Sequence, residues 1–144
     1  MYRYQLENVM NTALKHKFHG VYALDCLPKS RKNGGYIINF DISSDPGSHW
    51  VAVFVDNKNV EYFDSFGFAP KHKPILSFLG PVYAYNSITL QPLFSKACGH
   101  FCLYFLIHRF FNQSSNEIIY VLSKSDSVFI VKNFVYRNFK YVLV

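Results

Sequence analysis

Apolar residues change their period along this chain, and the changes divide it into elements. Leu6, Val9, Met10, Ala13 and Leu14 recur at helical spacing, which predicts an amphipathic helix over 4–16. Residues 18–34 hold Gly20, Pro28 and Gly34 among mixed polar positions and read as loop. Tyr36 to Phe40 predicts a strand, followed by a turn cluster from Ser43 to Gly47. Trp50 to Val55 and Val60 to Asp64 are strand-like and flank Asp56-Asn57-Lys58-Asn59, the pattern of a β-hairpin. A short helix is expected over 70–79, with candidate strands at Val82 to Tyr85 and Ile88 to Leu90. Cys98 to Phe111 is apolar on nearly every face, as in a helix buried on all sides. Two more helices are expected at Ser115 to Leu122 and from Asp126 to about Tyr141, the last capped by Ser125 or Asp126. Strands in the middle with helices toward both ends predict an α+β fold, with a small mixed or antiparallel sheet and helices on both sides.

Length fits one domain spanning 1–144, able to bury roughly two-thirds of its unfolded surface. With 19% aromatic and 17% charged positions the chain is not of disordered composition. Its longest apolar run, Phe101 to Ile107, is far short of the ~18 residues of a membrane span. The opening MYRYQLENVM lacks the apolar core of a secretory signal. Three cysteines without a C-x-x-C pair make neither a disulfide framework nor a zinc ribbon, so an intracellular protein with reduced thiols and no metal is expected. The net charge of +6 suits a polyanionic partner but also ordinary solubility.

Three polar residues, His49, Asp64 and Cys98, stand where apolar neighbours predict burial or a cleft. The hairpin tests whether they meet. If Val55 pairs with Val60, partners sum to 115 and Asp64 lies opposite Val51. Facing alternates along a strand, so His49, Val51, Val53 and Val55 share a face with Val60, Tyr62 and Asp64. Asp64 becomes the diagonal neighbour of His49, while Glu61 points to the opposite face. Cys98 opens the buried helix, where the dipole favours a thiolate, and a nearby imidazole completes an activated nucleophile. Gly99 leaves room for a substrate backbone. Gln91 could donate its amide to an oxyanion beside the Cys98 N–H. Each residue also has a purely structural reading: an inert core thiol, a strand-end histidine, a turn-capping aspartate, a surface glutamine. Their joint arrangement is what points to catalysis.

These blocks resemble the adenovirus-type (adenain-like) cysteine proteases, relatives of the ubiquitin-like-protein-specific proteases. The matching segments are Gly47-Ser48-His49-Trp50-Val51-Ala52, Glu61-Tyr62-Phe63-Asp64-Ser65-Phe66-Gly67-Phe68, and Gln91 followed by Cys98-Gly99-His100-Phe101-Cys102. A weaker similarity covers Phe18-His19-Gly20-Val21-Tyr22, and the whole extends over about residues 18–112. The resemblance implies a papain-like architecture in the order His, Asp, Cys, with Cys98 as nucleophile and His49 as general base. Asp64 would orient the imidazole, Gln91 would complete the oxyanion hole, and Trp50 would wall the cleft. It also implies amide hydrolysis through a thioester at Gly-Gly or Gly-X bonds of viral or transposon-encoded capsid and core precursors, by a monomer resident in the host nucleus or cytoplasm or packaged in virions.

The sequence departs from that pattern at Ser87, which precedes Ile88-Thr89-Leu90 where the adenovirus enzymes carry a cysteine for a disulfide-linked activating peptide. Adenovirus relatives use DNA as a cofactor, and Lys132, Arg137 and Lys140 near one face of the last helix are candidate phosphate contacts, away from Cys98; a solvated face is the alternative. Cys102 and His100 read as packing residues, and Gly34-Gly35 as a turn. Two other functions share these features: deconjugation of a ubiquitin-like modifier, and a basic, non-catalytic nucleic-acid-binding virion protein.

Overall fold

The computed structural model describes residues 1–43, 48–124 and 126–140. Among these residues the sheet strands are β1 (Phe18–Tyr22), β2 (Gly34–Asn39), β3 (Trp50–Asp56), β4 (Asn59–Phe63) and β5 (Ala84–Tyr85). The α-helices are α1 (Arg3–Leu14), α2 (Lys73–Leu79), α3 (Cys98–Phe110), α4 (Ser115–Lys124) and α5 (Ser127–Phe139). Strand order follows the chain, β1-β2-β3-β4-β5. The two outer pairings are parallel and the two inner ones antiparallel, giving a mixed sheet.

Strands β2 and β3 are buried on both faces apart from Asp56, which explains their nearly continuous apolar composition. Trp50, Ala52 and Phe54 face a core built with α1, α3, α4 and α5. Val51, Val53 and Val55 face a second core closed by Ile75, Phe78 and Leu79 of α2. The sheet is thus covered on both sides, four helices against one. Helix α3 is buried from Cys98 to Ile107 and packs against α1, α4, α5 and β3. The ring of Phe105 stacks on Phe63 at 4.4 Å between centroids, joining α3 to the sheet.

The hairpin has the expected register: Val55 pairs with Val60, Val53 with Tyr62 and Ala52 with Phe63. Pairing continues to Asp56 and Asn59, so only Asn57 and Lys58 turn the chain, with Asn57 at φ 56°. Asparagine tolerates that left-handed backbone better than most residues.

Other expectations change. Within the stretch read as loop, Phe18–Tyr22 forms β1, an edge strand parallel to β2. Its irregularity at Gly20 (φ 137°) hides the alternation that marks a strand. The candidate strand at Val82 shortens to Ala84–Tyr85, and 88–90 forms no strand. Leu90 N–H instead joins the carbonyl of Ser65. Helix α5 begins after Asp126, whose side chain accepts from Phe129 N–H. The alternative cap Ser125, Tyr141 and most of the Ser43-to-Gly47 turn lie outside the described residues.

Candidate active site

His49 precedes β3 and Asp64 follows β4, so both stand at the open end of the hairpin. The ladder reaches His49 through Phe40 N–H bonded to its carbonyl at 3.0 Å. Oδ1 of Asp64 lies 2.8 Å from Nε2 of His49, and both side chains are largely withdrawn from solvent. That contact leaves Nδ1 as the nitrogen available to the thiol of Cys98, the first residue of α3, which lies close enough for the two groups to shift each other.

The three groups shift one another. Burial of His49 disfavours its charged form, but the hydrogen bonds to Asp64 and Cys98, with their charges, outweigh it and push the pKa up to about 9. Burial likewise pushes the Cys98 thiol up, and the imidazole and the backbone N–H of Trp50 more than reverse this, leaving the pKa below its ordinary value. The two shifts run in opposite directions and favour an imidazolium–thiolate pair over a neutral one. No side chain caps α3, and its first turn holds no acid to compete with the thiolate for the positive end of the dipole.

Asp64 is held tightly. Its backbone is clamped by Asn86, which accepts from Asp64 N–H at 3.0 Å and donates to Asp64 O at 2.6 Å. Its Oδ1 also accepts from Phe66 N–H at 2.9 Å, and Gly67 N–H returns to its carbonyl at 2.8 Å. Gly67 sits at φ 78° against the backbone of Ile88 and Thr89, so a side chain there would meet both strain and main-chain atoms. The imidazole lies between aromatic rings: Phe66 stacks at 4.8 Å and Phe40 meets it edge-on at 5.0 Å. Asn86, Phe66 and Phe40 were not singled out from sequence. Phe66 could have been, since it follows the acid within the matched block; Asn86 is 22 residues from Asp64 and carries no local signal.

Gln91 is buried, with both ends of its amide engaged by Ser65 and by the Ser95 carbonyl. Glu61 faces away, as the register requires. It forms a bidentate pair with Arg109 of α3 at 3.0 and 2.9 Å and accepts from Ser115 of α4.

Packing decides where three further candidate groups lie. Gly99 does not open onto substrate: a Cβ there would lie 3.2 Å from Met1 and 3.3 Å from Leu6, so its small size admits α1 against α3. The Trp50 ring belongs to the core, with Nε1 donating to Met1 O at 3.3 Å, and the influence of Trp50 on the Cys98 thiol comes through its backbone. Of the basic trio, Lys132 and Arg137 lie in α5 and Lys140 caps its C-terminus. Arg137 and Lys140 are exposed, but Lys132 is half-buried and close enough to His100 to disfavour its protonation. His100 is fully buried, and neither ring nitrogen has a partner among the described residues.

No group of three or more His, Cys, Asp or Glu side chains suited to a metal ion occurs among the described residues. None of the described helices is long and apolar enough to cross a membrane.

The fold is one that a viral cysteine protease uses. Two crystal structures of the African swine fever virus protease pS273R superpose on this chain. One has a TM-score of 0.57 at 20% identity, over 81% of this chain and 60% of the other. The second has a TM-score of 0.55 at 23% identity, over 77% and 44% respectively. In sequence, 40 residues are 48% identical to the cysteine protease pS273R of one isolate of that virus, and equally to that of a second isolate, where the protein is called a SUMO-1 cysteine protease. Each match takes in 25% of this chain and 15% of the relative, so the similarity covers a small part of the relatives' length. No family model matches the chain.

Proposed function

We propose that this protein is a cysteine endopeptidase, one catalytic domain acting on viral or transposon-encoded precursor polypeptides at Gly-Gly or Gly-X bonds. The observation that carries the reading is the placement of His49 between Asp64 and Cys98, with the imidazole pKa raised and the thiol pKa lowered. The Cys98 thiolate attacks the scissile carbonyl, and the oxyanion is received by the Cys98 backbone N–H and Nε2 of Gln91. The imidazolium gives its proton to the departing amine, leaving a thioester. His49 then takes a proton from water, which attacks the thioester and releases the acid and the thiol. The chemistry needs no cofactor. The viral relatives support a protease, and the resemblance of the matched sequence blocks supports the precursor substrate and the glycine preference.

The decisive experiment incubates wild type and Cys98→Ala with Leu-x-Gly-Gly-x peptides, with and without DNA. Cleavage after glycine by wild type alone is expected. Stimulation by DNA would point to Arg137 and Lys140, the exposed cations of the trio. A second reading, deconjugation of a ubiquitin-like modifier, is favoured by the SUMO-1 designation of a relative. A modifier-fused reporter separates the two: faster cleavage of the fusion than of the free peptide selects the second reading.

A further inference from the structure

Ser65 follows the acid and is 1% exposed. Its carbonyl accepts from the N–H groups of Leu90 at 2.8 Å and Gln91 at 2.9 Å, and its hydroxyl hydrogen-bonds to Oε1 of Gln91. At the other end of that amide, Nε2 of Gln91 donates to the Ser95 carbonyl at 2.8 Å. A carbonyl oxygen can only accept, so the amide edge facing Ser95 is the NH2 and the edge facing Ser65 is the oxygen. The Ser65 hydroxyl is therefore the donor. Together the two contacts sort the ends of a group that is nearly symmetric in shape. Ser95 takes one of the two protons on Nε2 and leaves the other uncommitted. Ser95 is in turn tied to the nucleophile's helix, because its Oγ accepts from N–H of Ala97, the residue before Cys98, at 3.2 Å.

We infer that Ser65 is a positioning residue for the oxyanion donor. By giving its hydroxyl proton to Oε1, it holds the Gln91 amide so that the second Nε2 proton meets the oxygen developing on the carbonyl attacked by Cys98. The role rests on the cysteine protease reading above. It also means that one turn sets two parts of the site. Asp64 orients the imidazole, and its neighbour orients the amide seven residues before the nucleophile.

Ser65→Ala removes only the hydroxyl, since both backbone hydrogen bonds from residues 90 and 91 end on its carbonyl. Peptide kinetics of wild type, Ser65→Ala, Gln91→Ala and the double variant provide the test, alongside the pH profile of Cys98 alkylation by iodoacetamide. Ser65→Ala is expected to lower kcat by roughly 10- to 100-fold with KM within about twofold, short of the full loss of an oxyanion donor. Its alkylation profile should match wild type, and it should cost less than about twofold once Gln91 is alanine. Ser65→Cys, close in size but a weak donor, should show the same kcat loss if the alanine variant fails to fold. An unchanged kcat in these variants, a loss that persists undiminished beside Gln91→Ala, or a shifted alkylation profile would each overturn the assignment. A wild type whose Cys98 alkylates selectively but which cleaves no peptide would remove the protease reading, and this role with it. Cleavage by wild type and Ser65→Ala alike would remove this role alone.

Discussion

Asp64 holds His49 through Nε2, at 2.8 Å, and so leaves Nδ1 as the nitrogen available to Cys98. A histidine has one donor and one acceptor nitrogen when neutral, so fixing one end decides what the other can do. With Nε2–H given to the carboxylate, Nδ1 is the basic atom that takes the thiol proton.

That pairing ranks the two acids of β4 and the residue after it. Asp64→Asn keeps an oxygen for the Phe66 N–H but removes the charge that steadies the imidazolium, and kcat/KM should fall by about 100-fold or more with the melting temperature little changed. Glu61→Ala should do the opposite. It leaves the triad intact but strands Arg109 and Ser115, at a cost of about 1–3 kcal/mol, or roughly 3–10 °C in melting temperature for a chain of this size. Peptide kinetics and thermal melts on the two variants check the ranking, and the reverse order would refute it.

Thiol reactivity should separate the cysteines. Cys98 carries the lowered pKa, Cys102 is fully buried with its thiol pushed well up, and Cys26 is exposed without an imidazole partner. Mass spectrometry after brief iodoacetamide treatment at neutral pH should find Cys98 modified first, Cys26 later, and Cys102 only after unfolding. His49→Ala should abolish the preference for Cys98.

Activity should trace a bell against pH. The working state needs the thiolate and the imidazolium together, so activity is lost on the alkaline side as His49 deprotonates at about 9. On the acid side it is lost as Cys98 takes up a proton, below the ordinary thiol value. Both limbs belong to the coupled pair. A kcat/KM profile falling away from pH 7 already toward pH 8 would contradict the raised imidazole pKa.

His100 should make the fold acid-sensitive. Burial lowers its pKa to about 4, with the positive charges of the Met1 amino group and Lys132 adding to the effect. Above the ordinary value of 6.5 both folded and unfolded states hold it neutral. Between 6.5 and about 4 the unfolded chain binds a proton that the folded one refuses, so stability falls with falling pH. His100→Leu should flatten that limb in urea titrations between pH 7 and 4, and should raise stability at neutral pH by removing two unpartnered nitrogens from the core. An acid limb as steep as wild type would show that other groups cause it.

The meeting of His49 and Asp64 was legible in sequence because a hairpin is local. One pairing, Val55 with Val60, sets all the others, and a period of two decides which side chains share a face. The burial of α3 was legible too, since an all-apolar helix has no surface to give to water. What packs against a buried face is not written in its period. Gly99 reads equally well as room for substrate or as room for α1, and only the docking of Met1 and Leu6 decided between them. Lys132 reads as a surface cation until α5 lies against α3 and brings it toward His100. The Gln91 amide takes its orientation from Ser65, 26 residues away, and the Asp64 backbone from Asn86, 22 residues away. Spacing along the chain specified the residues able to do the chemistry. Their orientation was decided only by tertiary structure, because hydrogen bonds between distant segments depend on where whole elements come to rest.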